Sequence, residues 1–433
     1  MKTTTASATC ATADQSRTQP TSPDMRRVVI ASSLGNALEI YDFTVYSFFA
    51  AIIGKLFFPS DSAFAGLLLS LATFAVGFLM RPLGGVLIGR VADRHGRKAA
   101  LSLTIGLMTV GTAIIAFCPT YASIGISATV LLVLGRLLQG LSAGGEVGTA
   151  SAFLMESGST ANRCFMVSWQ GASQGAAALL GALSGLLLSH LLSPEALEGW
   201  GWRVPFVIGL LIGPVGWYIR RHLDETHAPG DAATPLNQLL NTQRRTLLLG
   251  IATMASSTVS MYLVVFYMPT YLIRTLQYPA STAFALVGLA SALLAIMPPI
   301  AARVADRMPR RKPMLYWTMG MPLIMVYPSF LLLGSGNSLL MMLAIVLLIM
   351  PLAVGIGPFM SLLMEAFPRE QRVTGMSIIY SFGVTLFGGF SPLLVTWLIG
   401  LTGNPLTPAA YLIGAVALSL AALRLFPEHP GRA

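Results

Sequence analysis

The chain has 433 residues, 55% of them hydrophobic and only 10% charged, with a formal net charge of +10. A soluble domain carries about 25% charged residues, so this depletion argues for a polytopic membrane protein, whose helices each need about 20 apolar residues to cross hydrocarbon. The basic residues lie in short loops between apolar runs, which reads as membrane topology and not as a nucleic-acid surface.

Residues 1–25 are rich in Ser, Thr and Ala and contain no apolar core. They read as a disordered cytoplasmic tail and not as a cleaved signal peptide. Twelve candidate spans follow, at about 28–53, 64–89, 99–118, 123–153, 164–191, 204–220, 246–271, 281–302, 313–333, 338–364, 374–400 and 408–426. With the N-terminus inside, 22 of the 27 Lys and Arg residues fall on the cytoplasmic side. The positive-inside rule then places both termini in the cytoplasm. The fold class expected is an all-α integral membrane protein of twelve transmembrane helices in two six-helix halves, 26–220 and 246–426. A polar cytoplasmic linker at 221–245 joins them, and a short tail at 427–433 ends the chain.

Five charges fall inside the first half's apolar spans: Glu39, Asp42, Arg81, Arg136 and Glu146. Each costs about 2.5–3.5 kcal/mol at a helix centre, so they must face a wet cavity or one another. At ~100° per residue, Glu39, Asp42 and Tyr46 share about 60° of one face, with Asn36 nearby. Arg136, Gln139 and Glu146 follow helical spacing on span four. A structural role as ion pairs is the alternative, although buried pairs are poor sources of stability. The second half offers hydroxyls instead, of which Ser257 and Tyr380 are the foremost candidate ligands. Gly140/Gly144/Gly148, Gly171/Gly175 and Gly181/Gly185 have the spacing that lets helices approach closely. Cys10, Cys118 and Cys164 have neither metal-ligand nor disulfide spacing, and no metal site is expected.

Two repeats mark the halves. GRVADRHGRK at 89–98 returns as ARVADRMPRRK at 302–312, and LMESGSTANR at 154–163 returns as LMEAFPREQR at 363–372. Parallel six-span repeats are a transporter signature, with the substrate site near the midplane between them.

The G-x-x-x-D-R-x-G-R-K loop between spans two and three, echoed between eight and nine, resembles the signature of the major facilitator superfamily. LEIYDFTVY at 38–46, FLMRPLGG at 78–85, GRLLQGLSAGGEVG at 135–148 and WGWRVPF at 200–206 resemble its metabolite:proton symporters. These include bacterial citrate, tricarballylate, 2-oxoglutarate and proline/betaine carriers. YMPTY at 267–271 and SPLLVTWLIGLTGNP at 391–405 are most similar to the citrate and tricarballylate members.

The resemblance implies proton-coupled uptake of a di- or tricarboxylate across the bacterial inner membrane by a monomer, with the proton as coupling ion and no cofactor. Its partners are a small carboxylate, protons and the lipid bilayer, with no nucleic acid. In the superfamily's sugar-porter branch, the residues matching Asp42 and Arg136 form a protonation-coupled pair; Glu39 and Glu146 are alternative proton carriers. Asn36, Tyr46, Arg81, Arg136, Gln139, Ser257 and Tyr380 are the candidate substrate ligands. The signature loops imply a cytoplasmic gate of Asp93, Arg97, Glu156 and Arg163, with Asp306, Arg310, Glu365 and Arg372 as the second copy. Gly89 and Gly96 are replaced there by Ala302 and Pro309, so the second loop is expected to be stiffer. Rival readings are symport of a zwitterion such as proline or betaine, and a membrane sensor that binds a metabolite without moving it. Neither a phosphate-binding loop nor a nucleophile–His–acid set favours an enzyme.

Overall fold

A computed structural model describes residues 25–60, 62–95, 97–144, 146–221, 239, 241–368 and 371–428. All of the expected N-terminal tail but Met25, most of the linker and all but two residues of the C-terminal tail lie outside this set. So do the side chains of Asp93, Arg97 and Glu146.

The described chain is helical and contains no strand. In the first half, α1 is Met25–Phe48, continued by Ala50–Phe57; α2 is Ala63–His95; α3 is Arg97–Phe117. Then α4 is Ile126–Ala143, continued by Glu146–Ser157; α5 is Arg163–Leu191; and α6 is Val204–Arg221. In the second half, α7 starts at Arg244 and runs to Thr275; α8 is Ala280–Asp306; α9 is Lys312–Leu333; α10 is Ser338–Glu365. Finally, α11 runs from Arg372 to Thr402 and α12 is Thr407–Leu425. Nine described helices are long and apolar enough to cross a membrane, and the bent α1 makes a tenth. Large apolar side chains such as Phe117, Leu191, Trp317 and Ile324 face outward, as a lipid-facing belt requires.

Four spans depart from simple rods. α1 bends by 65° at Phe49, whose backbone leaves the helical region. α4 is interrupted next to Gly144, where two consecutive glycines weaken the helix. α7 widens into π-helical turns at Tyr262–Tyr267 and Tyr271–Thr275, flanking Pro269, and α11 does so at Val384–Gly389, ahead of Pro392. Proline removes one backbone donor and crowds the carbonyl four residues earlier, and a widened turn relieves that conflict.

Glycine contacts set the helix spacing. A Cβ on Gly140 would meet the Gly77 carbonyl, one on Gly144 the Arg81 carbonyl, and one on Gly84 the Leu141 carbonyl. Thus α2 and α4 cross at backbone contact, which brings the helices bearing Arg81 and Arg136 together. Between the halves, Gly175 of α5 lies against the Leu294–Ala295 backbone of α8, and Gly185 against the Phe284 ring. These small-residue positions act as the packing surfaces their spacing predicts.

The halves meet at both ends of the bundle. At the end bearing the RVADR loops, here the basic end, the Asp306 carboxylate accepts hydrogen bonds from the amides of Cys164 and Phe165, each at 2.9 Å. At the far end, Ser47 donates to the Phe266 carbonyl at 3.0 Å, and Phe48 and Phe49 pack on Phe284 at 5.8 and 6.0 Å between ring centroids. Phe64 also lies against Gly400. The conformation is closed at both ends.

Candidate functional site

The five intramembrane charges stand on helices that fold for apolar reasons, so their placement follows from where each helix turns its buried face. Glu39, Asp42, Arg81 and Arg136 are all buried. They do not pair as the sequence resemblance implies. Arg81 Nη2 donates to Glu39 Oε1 at 2.7 Å, and the pair is sealed from solvent. Arg136 forms no ion pair among the described residues. Its Nη1 donates to Gln139 Oε1 at 2.7 Å, Gln139 Nε2 donates to Thr112 Oγ1 at 2.9 Å, and Thr112 donates to Asp42 Oδ2. The expected direct contact between Asp42 and Arg136 is therefore replaced by a relay of two neutral side chains. Every donor in that relay points from the guanidinium toward the carboxylate.

Arg136 also sits in a cage of rings, with its guanidinium carbon 4.5 Å from the Phe43 centroid, 4.3 Å from Tyr46 and 5.1 Å from Phe74. Arg81 lies 4.9 Å from Phe43 and 4.6 Å from Phe78. A desolvated cation–π contact is worth about 2 kcal/mol, so these rings offset part of the cost of burying two cations. One edge of Arg136, formed by Nε and Nη2, has no hydrogen-bond partner. That edge faces Gly77, where even a methyl group would stand only 3.6–3.7 Å from the two nitrogens. The result is a buried guanidinium with two parallel donors unpaired, the fork that matches a carboxylate, held against the α2 backbone in this closed state.

The second half closes over this cluster. Tyr262 packs 5.4 Å from Phe78 and 6.2 Å from Phe74, and Tyr380 is buried on α11. Thr385 donates to the Phe78 carbonyl at 2.9 Å and Ser381 to the Gly144 carbonyl at 3.3 Å. Tyr46 donates to the Ser70 carbonyl at 3.3 Å. Asn36 has a different setting. Its amide nitrogen donates to the Gln170 carbonyl and to Ser173, which ties α1 to α5. Ser257 donates to the Met254 carbonyl at 3.2 Å and lines a separate small cavity with Ser256, Ser260 and Thr318, inside the second half. Sequence reasoning passed over Thr112, Gln174 and the rings of Phe43, Phe74, Phe78 and Tyr262. The i, i+4 pair of Phe74 and Phe78, one turn before Arg81, was the available signal.

The closed basic end is built on the repeated loops. Besides capping α5 through Asp306, it joins Arg163 to Glu365 at 3.5 Å and Arg372 to Glu156 at 3.7 Å. Both of these pairs cross between the halves. The role expected of Arg310 falls to its neighbour: Arg310 is exposed, while the buried Arg311 lies 3.9 Å from Asp306 and 4.0 Å from Glu365. Arg311 is the cap residue of α9, with Pro313 in the helix's first turn. Arg311 also donates to the Ala305 and Met308 carbonyls, which fixes the loop that presents Asp306. The second loop thus carries contacts that join the two halves.

The Major Facilitator Superfamily signature matches residues 32–383. The chain belongs to the Major Facilitator Superfamily. It is 35% identical over 403 residues to a citrate-proton symporter of Klebsiella pneumoniae, covering 91% of this chain and 90% of that one. It is 32% identical over 412 residues to a proline/betaine transporter of Salmonella typhimurium, covering 92% and 82%. Among solved structures, the xylose transporter XylE from E. coli, in a partially occluded inward-open conformation, superposes with a TM-score of 0.76. That match covers 94% of this chain and 99% of XylE at 16% identity, a likeness of fold alone. This superfamily member is a multi-pass membrane transporter and not an enzyme, and its two halves bracket the Arg81–Arg136 cluster.

Proposed function

We propose that the chain is a proton-coupled symporter of a di- or tricarboxylate such as citrate. It would work by alternating access in a bacterial inner membrane, with the basic end and both termini in the cytoplasm. The observation that carries the reading is the open Nε–Nη2 edge of Arg136, a buried cation with no ionic partner among the described residues. A carboxylate placed there gains two charge-assisted hydrogen bonds. The whole route lies within one chain, so a monomer suffices.

Coupling follows from charge counting. Among the described side chains, ionised Glu39 and Asp42 balance Arg81 and Arg136. Protonating Asp42 leaves one net positive charge beside the open edge, and an anion then restores neutrality. The relay through Thr112 and Gln139 links the two events, because a neutral Asp42 no longer orients those dipoles. Glu39, engaged by Arg81, is the less available acid.

The aromatic rings favour the second reading, since such cages recognise the quaternary ammonium of betaine. Here the faces of Phe43, Tyr46, Phe74 and Phe78 are already taken by guanidinium groups. A cationic ligand would have to displace them against like-charge repulsion. Uptake of labelled citrate, tricarballylate, proline and betaine into proteoliposomes under an inward proton gradient tests the choice. The carboxylates should accumulate. Accumulation of betaine or proline without the carboxylates would reject this reading.

A further inference from the structure

We propose that a hydrated pocket inside the first half carries protons between Asp42 and the cytoplasmic face, apart from the path the substrate takes between the halves. The inference rests on the reading of Asp42 as the proton carrier. The pocket is bounded by α1, α3, α4 and α6, and both Glu39 and Asp42 open onto it. Its volume of about 30 Å³ holds roughly two or three waters, each needing ~10–15 Å³.

Asp42 supplies the decisive detail. Thr112 occupies Oδ2, while Oδ1 is buried with no hydrogen-bond partner. A Cβ on Gly209, a pocket-lining residue, would lie 2.7 Å from that oxygen, and one on Gly213 would lie 3.0 Å from Thr109 Oγ1. Two glycines one turn apart on α6 thus hold open the space that the free oxygen faces. The remaining wall is rich in hydroxyls, from Thr104, Thr109, Thr112 and Ser142. A buried polar space with several such partners is one that water fills.

The pocket also has a direction. On α1 its lining residues Gly35, Leu38 and Glu39 all precede Asp42, toward the basic end. α3 starts at the basic end, and Thr104 and Thr109 precede Thr112. α4 and α6 run the opposite way and contribute residues from their later turns, Ser142 and Gly213. Among the described residues, none that lines the pocket comes from the second half, so the pocket persists while both ends of the inter-half route are shut. The transfer itself is balanced: a hydronium ion in the pocket gives one proton to Asp42 Oδ1 and becomes water, and release reverses the step. Among the described residues, the ionisable neighbours of Asp42 are Tyr41 and Glu39 on its own helix, Arg136 on α4, and Arg81 on α2 through Glu39. Among the described lining residues, α3 and α6 add hydroxyls and glycines and no titratable side chain.

Gly213→Val fills the pocket, and Thr109→Val removes a hydroxyl at constant volume. In proteoliposomes, proton-driven citrate accumulation should slow at least tenfold in Gly213→Val and severalfold in Thr109→Val. Citrate–citrate exchange at symmetric pH should stay within about twofold, because exchange does not require the proton to leave. Unchanged accumulation in both variants would overturn the pocket route. Should Gly213→Val lose exchange as well, Thr109→Val decides: slowed accumulation with intact exchange supports the route, and wild-type accumulation refutes it. Asp42→Asn runs alongside. If it still accumulates citrate, the proton-carrier reading fails; if it is uncoupled while both pocket variants behave as wild type, only the pocket fails.

Discussion

Replacing Arg136 by lysine tests the carboxylate fork with the least disturbance of charge. The guanidinium spends Nη1 on Gln139 and leaves Nε and Nη2 open, stacked among the rings of Phe43, Tyr46 and Phe74. Lysine keeps the positive charge but offers a point donor in place of two parallel ones. The loss is about one charged hydrogen bond, ~1.5–3 kcal/mol. At 1.4 kcal/mol per tenfold, this weakens binding by about 10- to 150-fold. Arg136→Ala loses both bonds and should bind no citrate at millimolar concentration. Titration calorimetry of purified protein, beside a thermal melt that certifies folding, reads the effect directly. A dissociation constant for Arg136→Lys within twofold of wild type would refute the fork, and with it the reason for preferring an anion.

Asp306→Asn weakens the charge-assisted cap on Cys164 and Phe165. A cap of this kind is worth about 0.3–1 kcal/mol, up to ~2 kcal/mol when partly buried, so the population closed at the basic end should fall by up to about 30-fold. Inter-spin distances between labels on α5 and α8 would lengthen at that end, and an unchanged distribution would show that the cap does not hold that end closed. Gly175→Val drives a branched side chain into the Leu294–Ala295 backbone. It should separate α5 from α8 and reduce transport severely while expression persists, as read by uptake per folded protein. Thr112→Val cuts the relay and Thr112→Ser rebuilds it, so the pH dependence of citrate binding should move in the first variant and return in the second. Superimposable pH profiles for all three proteins would show that Thr112 only packs.

The sequence made the helices and the charged residues legible for one physical reason. A lipid-crossing segment must be apolar throughout, so each span stands out, and so does each charge that breaks the rule. Asp42, Glu39, Arg81 and Arg136 were found by their cost. Their partners were not, because pairing depends on how close α2 comes to α4 and on which rotamer each long side chain adopts. Direct Arg81–Glu39 contact and a relayed Arg136–Asp42 link are equally compatible with helical spacing. The aromatic cage was hidden by abundance: with 21 Phe and 12 Tyr in the chain, no single ring is conspicuous. Arg310 and Arg311 are neighbours in the loop between α8 and α9, where no helical spacing says which of the two faces inward. The bend at Phe49 has neither proline nor glycine at the break to announce it.

The central claim is that carboxylate and proton move together. It is tested most directly by running the coupling backward, with the substrate gradient driving the proton. Proteoliposomes carrying a lumenal pH dye, at equal starting pH and with membrane potential clamped at zero, receive citrate outside. The lumen should acidify as citrate enters, betaine should have no such effect, and Asp42→Asn, in vesicles preloaded with citrate, should take up labelled citrate by exchange without acidification. Citrate entry with no change in lumenal pH, or acidification undiminished in Asp42→Asn, would contradict it.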